Sequence, residues 1–530
     1  MITDQIIHLV SQHWAPLVLA LTLGWLVRNR YHNGLNKYPG PFLASITDLW
    51  RFIDVYGRRA QYTHINLHRK HGSVVRLGPN VLSFSDPEAL KVIYGLNKGF
   101  VKSNFYIVQQ SVANGHALPS LFSTTDNDFH QQFRRSVNSA FAMSQLIQYE
   151  PFVDSTMKLF LEQTKRLYID NPETCDFSRW LQFYAFDVIG EITYSKRHGF
   201  VEKNEDIDGI VGYLGNLFLY VAPIGQIPIL DKLLLKNPIY LKLSQWGLID
   251  STFPVARFAR ARMAERMPEI VLGSAEKPSP LPTAEKLPSA VQKTQLLQTP
   301  DLLSKFMAAR DARPDFMTEK LVQTMAVSMA FAGSETTAIS LSAVFYYLLK
   351  NPRALARLQE ELDDAGRRGV FSDYELGTVT WHEAQGLPYL DACVKEAFRL
   401  HPAPGLHLER IVPEGGVEIA GEFVKVGTIV GCSPWVVHRN ESVFGNEVDE
   451  YRPERWLVDE KVAAGEKGDK EEVARVKLMN SSLLHFGMGS RTCIGKNISL
   501  LEMYKLVPTM LRRFEVSCGF WTFSRKGMIY

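Results

Sequence analysis

The sequence predicts a mostly helical protein with a small β region, carried behind an N-terminal transmembrane helix. Three observations point to this arrangement. Residues 5–27 contain no charged side chain. Two short runs of β-forming residues follow between positions 74 and 84. From about Asp126 onward, apolar residues recur at helical spacing.

The first element is the uncharged segment of residues 5–27, which lies between Asp4 and Arg28. As a helix it would reach ~34 Å, enough to cross a hydrocarbon core of ~30 Å. Arg28, Arg30 and Lys37 follow it, so the positive-inside bias predicts that the rest of the chain is cytosolic. A cleaved signal peptide is the alternative, but no basic residue opens the segment and basic residues follow it directly.

Residues 28–44 predict a basic, proline-containing hinge, because two prolines and a glycine between Lys37 and Pro41 cannot continue a helix. Residues 74–77 and 81–84 then predict two strands of a hairpin, with its turn at residues 78–80 (Gly-Pro-Asn). Residues 45–530 are predicted to form one large domain.

Two segments of this domain depart from the helical pattern. Residues 273–300 carry five prolines and no aromatic residue, which predicts an exposed, mobile linker within the domain. Residues 209–240 are apolar but interrupted by Pro223, Pro228 and Pro238. They predict either a buried helical layer or a surface patch that dips into a membrane beside the anchor.

Charge and cysteine content exclude several classes of protein. The chain has 59 basic and 56 acidic residues, a net charge of +3, so no basic field favours nucleic acid. The five cysteines form no CxxC pair, which argues against a secreted disulfide framework and a structural zinc site, and favours a reducing, cytosol-facing compartment. The sequence also shows no phosphate-binding loop and no dinucleotide motif between a strand and a helix.

A long helix is predicted from Thr318, as its cap, to about Leu349, and its apolar character predicts that it is buried. Residues 333–337 (Gly-Ser-Glu-Thr-Thr) interrupt this pattern. The hydroxyl groups could simply bond back to the preceding turn. A helix opened at Gly333, with Glu335 and Thr336 facing a cavity, would instead suit proton delivery to a bound ligand.

The strongest signal is the glycine-rich loop from Phe486 to Gly495, which surrounds Cys493 with backbone N–H groups. A helix is predicted directly after it, from Asn497 to about Arg512. The positive end of that helix favours a thiolate, and nearby amides can hydrogen-bond the sulfur. These are the requirements of a thiolate ligand to iron, whereas the alternative for a single cysteine is a small buried apolar residue.

This loop resembles the haem loop of the cytochrome P-450 superfamily, F-x-x-G-x-R-x-C-x-G, and the matching residues are Phe486, Gly489, Arg491, Cys493 and Gly495. Residues 332–336 look like the family's oxygen-activation motif. The resemblance covers about residues 37–513. It implies one mostly helical domain with a small β region, and haem b held between two helices with Cys493 as the axial ligand.

Glu396 and Arg399 match the family's E-x-x-R motif on a helix predicted from Leu387 to His401, and residues 451–456 resemble its P-E-R segment with Arg455. By helical periodicity alone, Glu396 and Arg399 lie opposite the apolar stripe and form an exposed ion pair. The resemblance implies instead that these two residues and Arg455 form a structural lock behind the haem loop.

The resemblance also implies cations for the haem propionates. His130 and Arg134 stand in place of the family's W-x-x-x-R, with histidine where the family has tryptophan, so a surface histidine is the alternative for His130. Arg410 and Arg491 occupy positions where family members often have basic residues.

Within the superfamily, residues 76–80, 102–106 and 453–456 look like the fungal pisatin-demethylase-like monooxygenases. This implies secondary metabolism of an apolar substrate. The resemblance places the substrate contacts at about residues 103–122, 326–337 and 402–408 and in the tail near Phe523, which are mostly apolar.

The leading hypothesis is a haem-thiolate monooxygenase anchored in the endoplasmic reticulum membrane, with its catalytic domain in the cytosol. Cys493 would bind the iron, Thr336 would hold the hydrogen bonds around the distal oxygen, and Glu335 would help to pass protons. Electrons would come from an NADPH-dependent reductase. The alternatives are an isomerase or dehydratase that acts on a peroxide or epoxide, and a haem-free membrane binding protein.

Overall fold

The computed structural model describes residues 2–170, 174–266, 301–373, 378–458 and 470–516. The linker predicted at residues 273–300 and the tail near Phe523 lie outside them. The described chain is mostly helical with a small β region, as predicted.

The helices of the first half are numbered in chain order: α1 Ile2–Tyr31, α2 Phe42–Ile46, α3 Leu49–Tyr56, α4 Ala60–His71, α5 Pro87–Ile93, α6 Phe105–Val108, α7 Asn127–Val137, α8 Met143–Leu146, α9 Glu150–Thr164, α10 Phe177–Tyr194, α11 Phe200–Lys203, α12 Ile210–Ile224, α13 Pro238–Gln245 and α14 Pro254–Arg266. Those of the second half are α15 Leu302–Ala312, α16 Glu319–Lys350, α17 Pro352–Arg367, α18 Trp381–Ala384, α19 Pro388–Leu400, α20 Pro434–Val437, α21 Glu441–Phe444, α22 Lys470–Ser482 and α23 Lys496–Arg513.

The strands are short: β1 Val74–Gly78, β2 Val81–Phe84, β3 Val101–Lys102, β4 Ser111–Ala113, β5 His116–Leu118, β6 Arg410–Ile411, β7 Val417–Ile419, β8 Glu422–Val424 and β9 Ile429–Gly431. The main sheet has the order β1-β2-β9-β6-β3. The predicted hairpin is confirmed, because β1 and β2 pair antiparallel with Val74 opposite Phe84. At the other edge Lys102 lies opposite Arg410.

The predicted central helix is α16, which has 32 residues and lies within one residue of the predicted bounds. Thr318 is its N-cap residue, but the Thr318 side chain makes no capping hydrogen bond. The expectation that Gly333 opens the helix is wrong, because α16 continues through it as an α-helix. The glycine instead permits close packing, since a Cβ there would lie 2.7 Å from Cγ1 of Ile189 on α10.

The predicted hinge begins later than expected, because α1 continues to Tyr31. The C-terminal end of α1 is attached to the main sheet by Arg76, a buried residue of β1. The Arg76 guanidinium donates to the carbonyl oxygens of Asn29 (2.7 Å) and Arg30 (2.8 Å). Helix ends leave carbonyl groups without intrahelical partners, and Arg76 satisfies two of them.

The apolar segment at residues 209–240 divides between the two alternatives. In α12 one side is buried and packs in the main core, as the layer hypothesis predicts. The residues that follow leave large apolar side chains exposed, including Leu233 (66%) and Ile239 (71%). Among the described residues, 207–224 are also the one helical stretch that is long and apolar enough to cross a membrane.

Candidate active site

The loop before α23 is shaped by its glycines and by hydrogen bonds to its backbone. Gly489 has φ +67°, and a Cβ there would lie 1.8 Å from the carbonyl oxygen of Tyr94, so this position requires glycine. The Cys493 N–H donates to the Phe486 carbonyl at 2.8 Å and closes the loop. Gly495 is the N-cap residue of α23, which places Cys493 just before the positive end of this helix.

The Cys493 thiol differs from the other cysteines that the structure describes. Cys393 and Cys432 are buried and Cys175 is half-buried, whereas Cys493 retains accessible surface although protein surrounds it. Burial raises the pKa of the Cys493 thiol, and the N–H groups of Gly495 and Lys496 and the Arg134 guanidinium act in the opposite direction. The helix end therefore lowers the pKa of the thiol as predicted, but burial raises it by more. The thiolate form needs the further positive charge that a bound metal would supply.

Two of the predicted cations join α7 to this loop. Arg134 donates to the Thr492 carbonyl oxygen at 2.6 Å. Arg491 donates to the Thr124 carbonyl oxygen at 3.1 Å and to Asn127 Oδ1 at 2.7 Å, at the start of α7. Burial and the charge of Arg410 lower the pKa of Arg491 to about 10.

Arg410 and one residue that the sequence analysis missed lie close to these two arginines. This residue is Lys102, which is buried and packs under the rings of Tyr106 and Phe122. Burial, Arg410 and Arg491 hold the pKa of Lys102 well below its ordinary value. Its position opposite Arg410 in the sheet depends on strand register, so no local sequence signal identifies it.

His130 is buried, so the surface alternative for it is wrong. Burial lowers its pKa to about 3, and Arg491, Arg134, Lys102 and Arg410 act in the same direction. We therefore define the cationic cluster as Lys102, Arg134, Arg410 and Arg491, and His130 adjoins it with a ring that is uncharged near neutral pH. Like charges this close repel one another, and the arrangement suits a ligand with carboxylate groups.

The polar part of α16 presents two different faces. Ala332 and Thr336, one turn apart, are exposed in a helix that is otherwise largely buried. The Thr336 hydroxyl donates to the Ala332 carbonyl oxygen at 2.8 Å, and Ser334 bonds back to Ala330 in the same way. The simple alternative, that the hydroxyl groups bond to the preceding turn, thus describes both of them.

Glu335 lies on a different face of α16 and is buried against α10. Its carboxylate accepts a hydrogen bond from the Gln182 side-chain amide. Burial raises the pKa of Glu335 to about 7, the Gln182 hydrogen bond opposes this, and Asp206 adds to it. A carboxyl group with this pKa can both accept and release a proton near neutral pH.

Hydrogen bonds join α16 to the cysteine loop and to α23. The Thr337 hydroxyl donates to Ser499 Oγ at 3.1 Å, and Ser340 Oγ lies 3.2 Å from His485 Nε2. His485 immediately precedes Phe486 and stacks on Phe398 of α19. The exposed Ala332–Thr336 face and the Cys493 loop are therefore parts of one connected structure.

Glu396 and Arg399 do not form the exposed pair that periodicity predicts, because both side chains are 0% exposed. Glu396 also accepts from Arg455 Nε at 2.9 Å and from Trp456 Nε1 at 2.8 Å. His438, which the sequence analysis missed, connects this cluster to the loop. Its carbonyl oxygen accepts from Arg399 at 2.9 Å, and its Nε2 accepts from the Leu484 N–H at 2.8 Å.

These observations test whether the site fits a haem group. The accessible sulfur receives amide hydrogen bonds, the cationic cluster suits two propionates, and a helix with an exposed alcohol is bonded to the same loop. The residues present fit the group. The fold and the site thus define a helical haem-thiolate protein.

Comparison with known proteins gives the family. The sequence profile of the cytochrome P450 family matches residues 44–520. A cytochrome P450 monooxygenase of Aspergillus terreus is 40% identical over 91% of this chain and 90% of its own length. Cytochrome P450 monooxygenase cicH of Emericella nidulans is 41% identical over 91% of this chain and 88% of its own. Cytochrome P450 monooxygenase mpaDE of Penicillium roqueforti is 35% identical over 91% of this chain and 52% of its own.

The chain therefore belongs to the cytochrome P450 family, and it is a haem-thiolate monooxygenase that acts on a small molecule with electrons from a redox partner. This confirms the leading hypothesis for the reaction class and excludes a haem-free binding protein. The roles of individual residues stay predictions.

Proposed function

We propose that Cys493 binds the haem iron through its thiolate and that the cationic cluster binds the two propionates. The observation that carries this proposal is the Cys493 sulfur, which is accessible but surrounded by protein. It accepts hydrogen bonds from backbone N–H groups and lies near the Arg134 guanidinium. When bound, the haem supplies the activation of dioxygen and the transfer of one oxygen atom to the substrate. As a ligand, the Cys493 thiolate would donate electron density to the iron, which would favour O–O cleavage.

Two neighbouring residues of α16, Glu335 and Thr336, can transfer protons to a bound ligand. The Thr336 hydroxyl lies on the exposed face of α16, where it can exchange its bond to Ala332 for a bond to a ligand. Glu335 holds a proton near neutral pH and can pass it towards Thr336, its neighbour in the chain. A proton can thus pass first from an acid and then through an alcohol, as proton delivery requires.

The substrate class is supported by the apolar residues that keep accessible surface in the segments where the resemblance implies substrate contacts. Ala332 and Phe122 keep exposed surface, and residues 403–406 between α19 and β6 are half-buried. These positions are apolar, which favours an apolar ligand. Fungal relatives over nine-tenths of the chain, together with the resemblance stated above, support a role in fungal secondary metabolism.

Membrane attachment is supported by two surfaces. In α1, most side chains from Trp14 to Val27 are exposed and apolar. A second patch follows α12 and comprises Ile229, Leu233, Leu234, Leu235, Ile239, Tyr240, Trp246 and Leu248. Exposed apolar surface of this extent favours a lipid environment. We place the protein at the endoplasmic reticulum membrane, with the domain in the cytosol, where an NADPH-dependent reductase supplies electrons.

The test is the reduced carbon monoxide difference spectrum of Cys493→Ser beside Cys175→Ser. A serine hydroxyl is not ionised near neutral pH, so Cys493→Ser should lose the thiolate signature. Cys175 is half-buried outside the loop, and its variant should keep the signature. A wild-type spectrum in Cys493→Ser would overturn the proposal.

A further inference from the structure

Helices α10 and α16 run antiparallel along a shared seam. At one end the hydroxyl oxygens of Ser178 and Ser342 lie 3.1 Å apart. At the other end the Tyr194 hydroxyl donates to the Ala326 carbonyl oxygen at 3.2 Å. The close contact at Gly333 lies between them. Helices that pack this closely hold their facing side chains in fixed positions.

Gln182 lies one turn after Ser178 on α10 and faces Glu335 across this seam. It is half-buried, and its side-chain N–H donates to Glu335 Oε1. The groups that act on the Glu335 carboxyl are the surrounding protein, Gln182 and Asp206, and no described cation is among them. The acid of the proposed proton path is therefore held by a neutral partner.

A neutral amide suits a group that must gain and lose a proton. Its N–H donates to a carboxylate, and its carbonyl oxygen can accept from a carboxylic acid, so the contact survives in both states. A lysine or arginine would instead stabilise the carboxylate alone and lower its pKa. The contact also turns the carboxyl group of Glu335 towards α10, away from the exposed Ala332–Thr336 face.

We propose that Gln182 is a positioning residue for oxygen activation: it holds the Glu335 side chain between proton transfers and keeps both of its protonation states available. This inference rests on the proposed role of Glu335 in proton delivery. Asp206, which accepts from the N–H groups of Val211 and Gly212 in the first turn of α12, is partly exposed to solvent and acts electrostatically on the Glu335 carboxyl. Glu335 would be reprotonated from the side of Asp206.

The test compares three variants of the full-length, haem-loaded protein. Gln182→Lys places a cation beside Glu335, and Gln182→Leu removes the hydrogen bond at similar size. Ser178→Ala is the matched control, because it removes the neighbouring seam contact to Ser342 and leaves Glu335 untouched. The first readout is the infrared carboxylic C=O band that Glu335→Gln abolishes, followed as a function of pH.

The lysine variant should move the midpoint of this band down by at least about one pH unit, and the leucine variant should shift the band itself because its hydrogen bond is lost. Ser178→Ala should change neither. If both Gln182 variants kept the wild-type band and midpoint, the inference would be overturned. This readout requires no substrate and separates the contact from a general loss of stability.

The second readout is product formed per NADPH oxidised, with a reductase and 7-ethoxycoumarin as an apolar probe. Each Gln182 variant should lower this ratio, and Gln182→Leu should lower it no further once Glu335→Gln is present. Wild-type coupling in Glu335→Gln would remove the proposed role of Glu335 itself. Loss of coupling in Glu335→Gln with normal coupling in both Gln182 variants would reject only the inference about Gln182.

Discussion

Glu396 and Arg399 lie one turn apart on α19, are fully buried, and are joined by hydrogen bonds of 2.8 and 2.9 Å. Because the Arg399 guanidinium also donates to the carbonyl oxygens of His438, Val448 and Glu450, the pair attaches α19 to the segment that precedes the cysteine loop. The pair is a connection between elements, although its spacing is that of a surface pair.

Replacing Glu396 by glutamine should strongly destabilise the protein. The substitution keeps the size of the side chain but leaves Arg399 and Arg455 buried without a carboxylate, which costs ~3–5 kcal/mol. Thermal melts and haem content per protein measure the loss. Glu88→Gln is the matched control, because Glu88 forms an exposed pair with Lys91 at the same spacing and should cost under ~1 kcal/mol. Equal melting temperatures for the two variants would contradict the structural lock of Glu396, Arg399 and Arg455.

The sequence predicted the elements that local patterns determine. The bounds of α16 and α23 and the β1–β2 hairpin follow from periodicity and turn residues, and the cysteine loop follows from its motif. Contacts between distant segments could not be predicted in this way. Lys102 depends on strand register, and Gln182 depends on the packing of α10 against α16. Periodicity placed Glu396 outside because it counts only apolar residues as buried.

Lys102→Met should weaken haem retention without destabilising the haem-free protein. Removal of one cation relieves the repulsion from Arg410 and Arg491, but it also removes a charged partner for a propionate. A charge-assisted hydrogen bond is worth ~1.5–3 kcal/mol, so haem loss to apomyoglobin should be at least about tenfold faster.

Lys305→Met is the control for this experiment. Lys305 also covers an aromatic ring, that of Tyr149, but it belongs to α15 and lies outside the cationic cluster. Its variant should release haem at the wild-type rate. Unchanged haem release in Lys102→Met would remove Lys102 from the propionate site.

Two truncations should separate membrane binding from domain stability. Deletion of residues 1–25 or of residues 1–30 should reduce membrane association in cell fractionation. Some binding should remain, because the apolar patch after α12 is still present. Only the longer deletion removes the carbonyl groups of Asn29 and Arg30 from the buried Arg76 guanidinium. The guanidinium then keeps only the carbonyl oxygens of Gly78 and Pro79 as acceptors. The loss of two partners from a buried charged donor costs ~1–3 kcal/mol, so only this form should melt earlier. Unchanged fractionation of both would contradict the anchor.

The stability contributed by Glu335 should fall as the pH rises. The pKa of Glu335 is raised to about 7 from its ordinary value of 4.5, so the folded protein binds more protons than the unfolded chain between these values. The contribution is present in full below pH 4.5 and is lost as the pH rises through 7. Wild type should therefore lose roughly 3 kcal/mol relative to Glu335→Gln between pH 5 and pH 8. A difference between their unfolding curves that does not change with pH would contradict the raised pKa.

Thr336→Ala should keep haem binding and reduction but divert electrons from product to peroxide or water, because the hydroxyl on the exposed face of α16 is lost. The measurement is product formed per NADPH oxidised in the reconstituted system. Thr324→Ala is the matched control, since the Thr324 hydroxyl makes the same bond to the preceding turn, to Lys320, from a buried position of α16. If the task of Thr336 were only this local bond, the two variants would behave alike.

An enzyme that isomerises a peroxide or epoxide would turn over without NADPH or dioxygen. Wild-type turnover without reductant, or full coupling in Thr336→Ala, would therefore reject the proton-delivery role that the exposed alcohol supports.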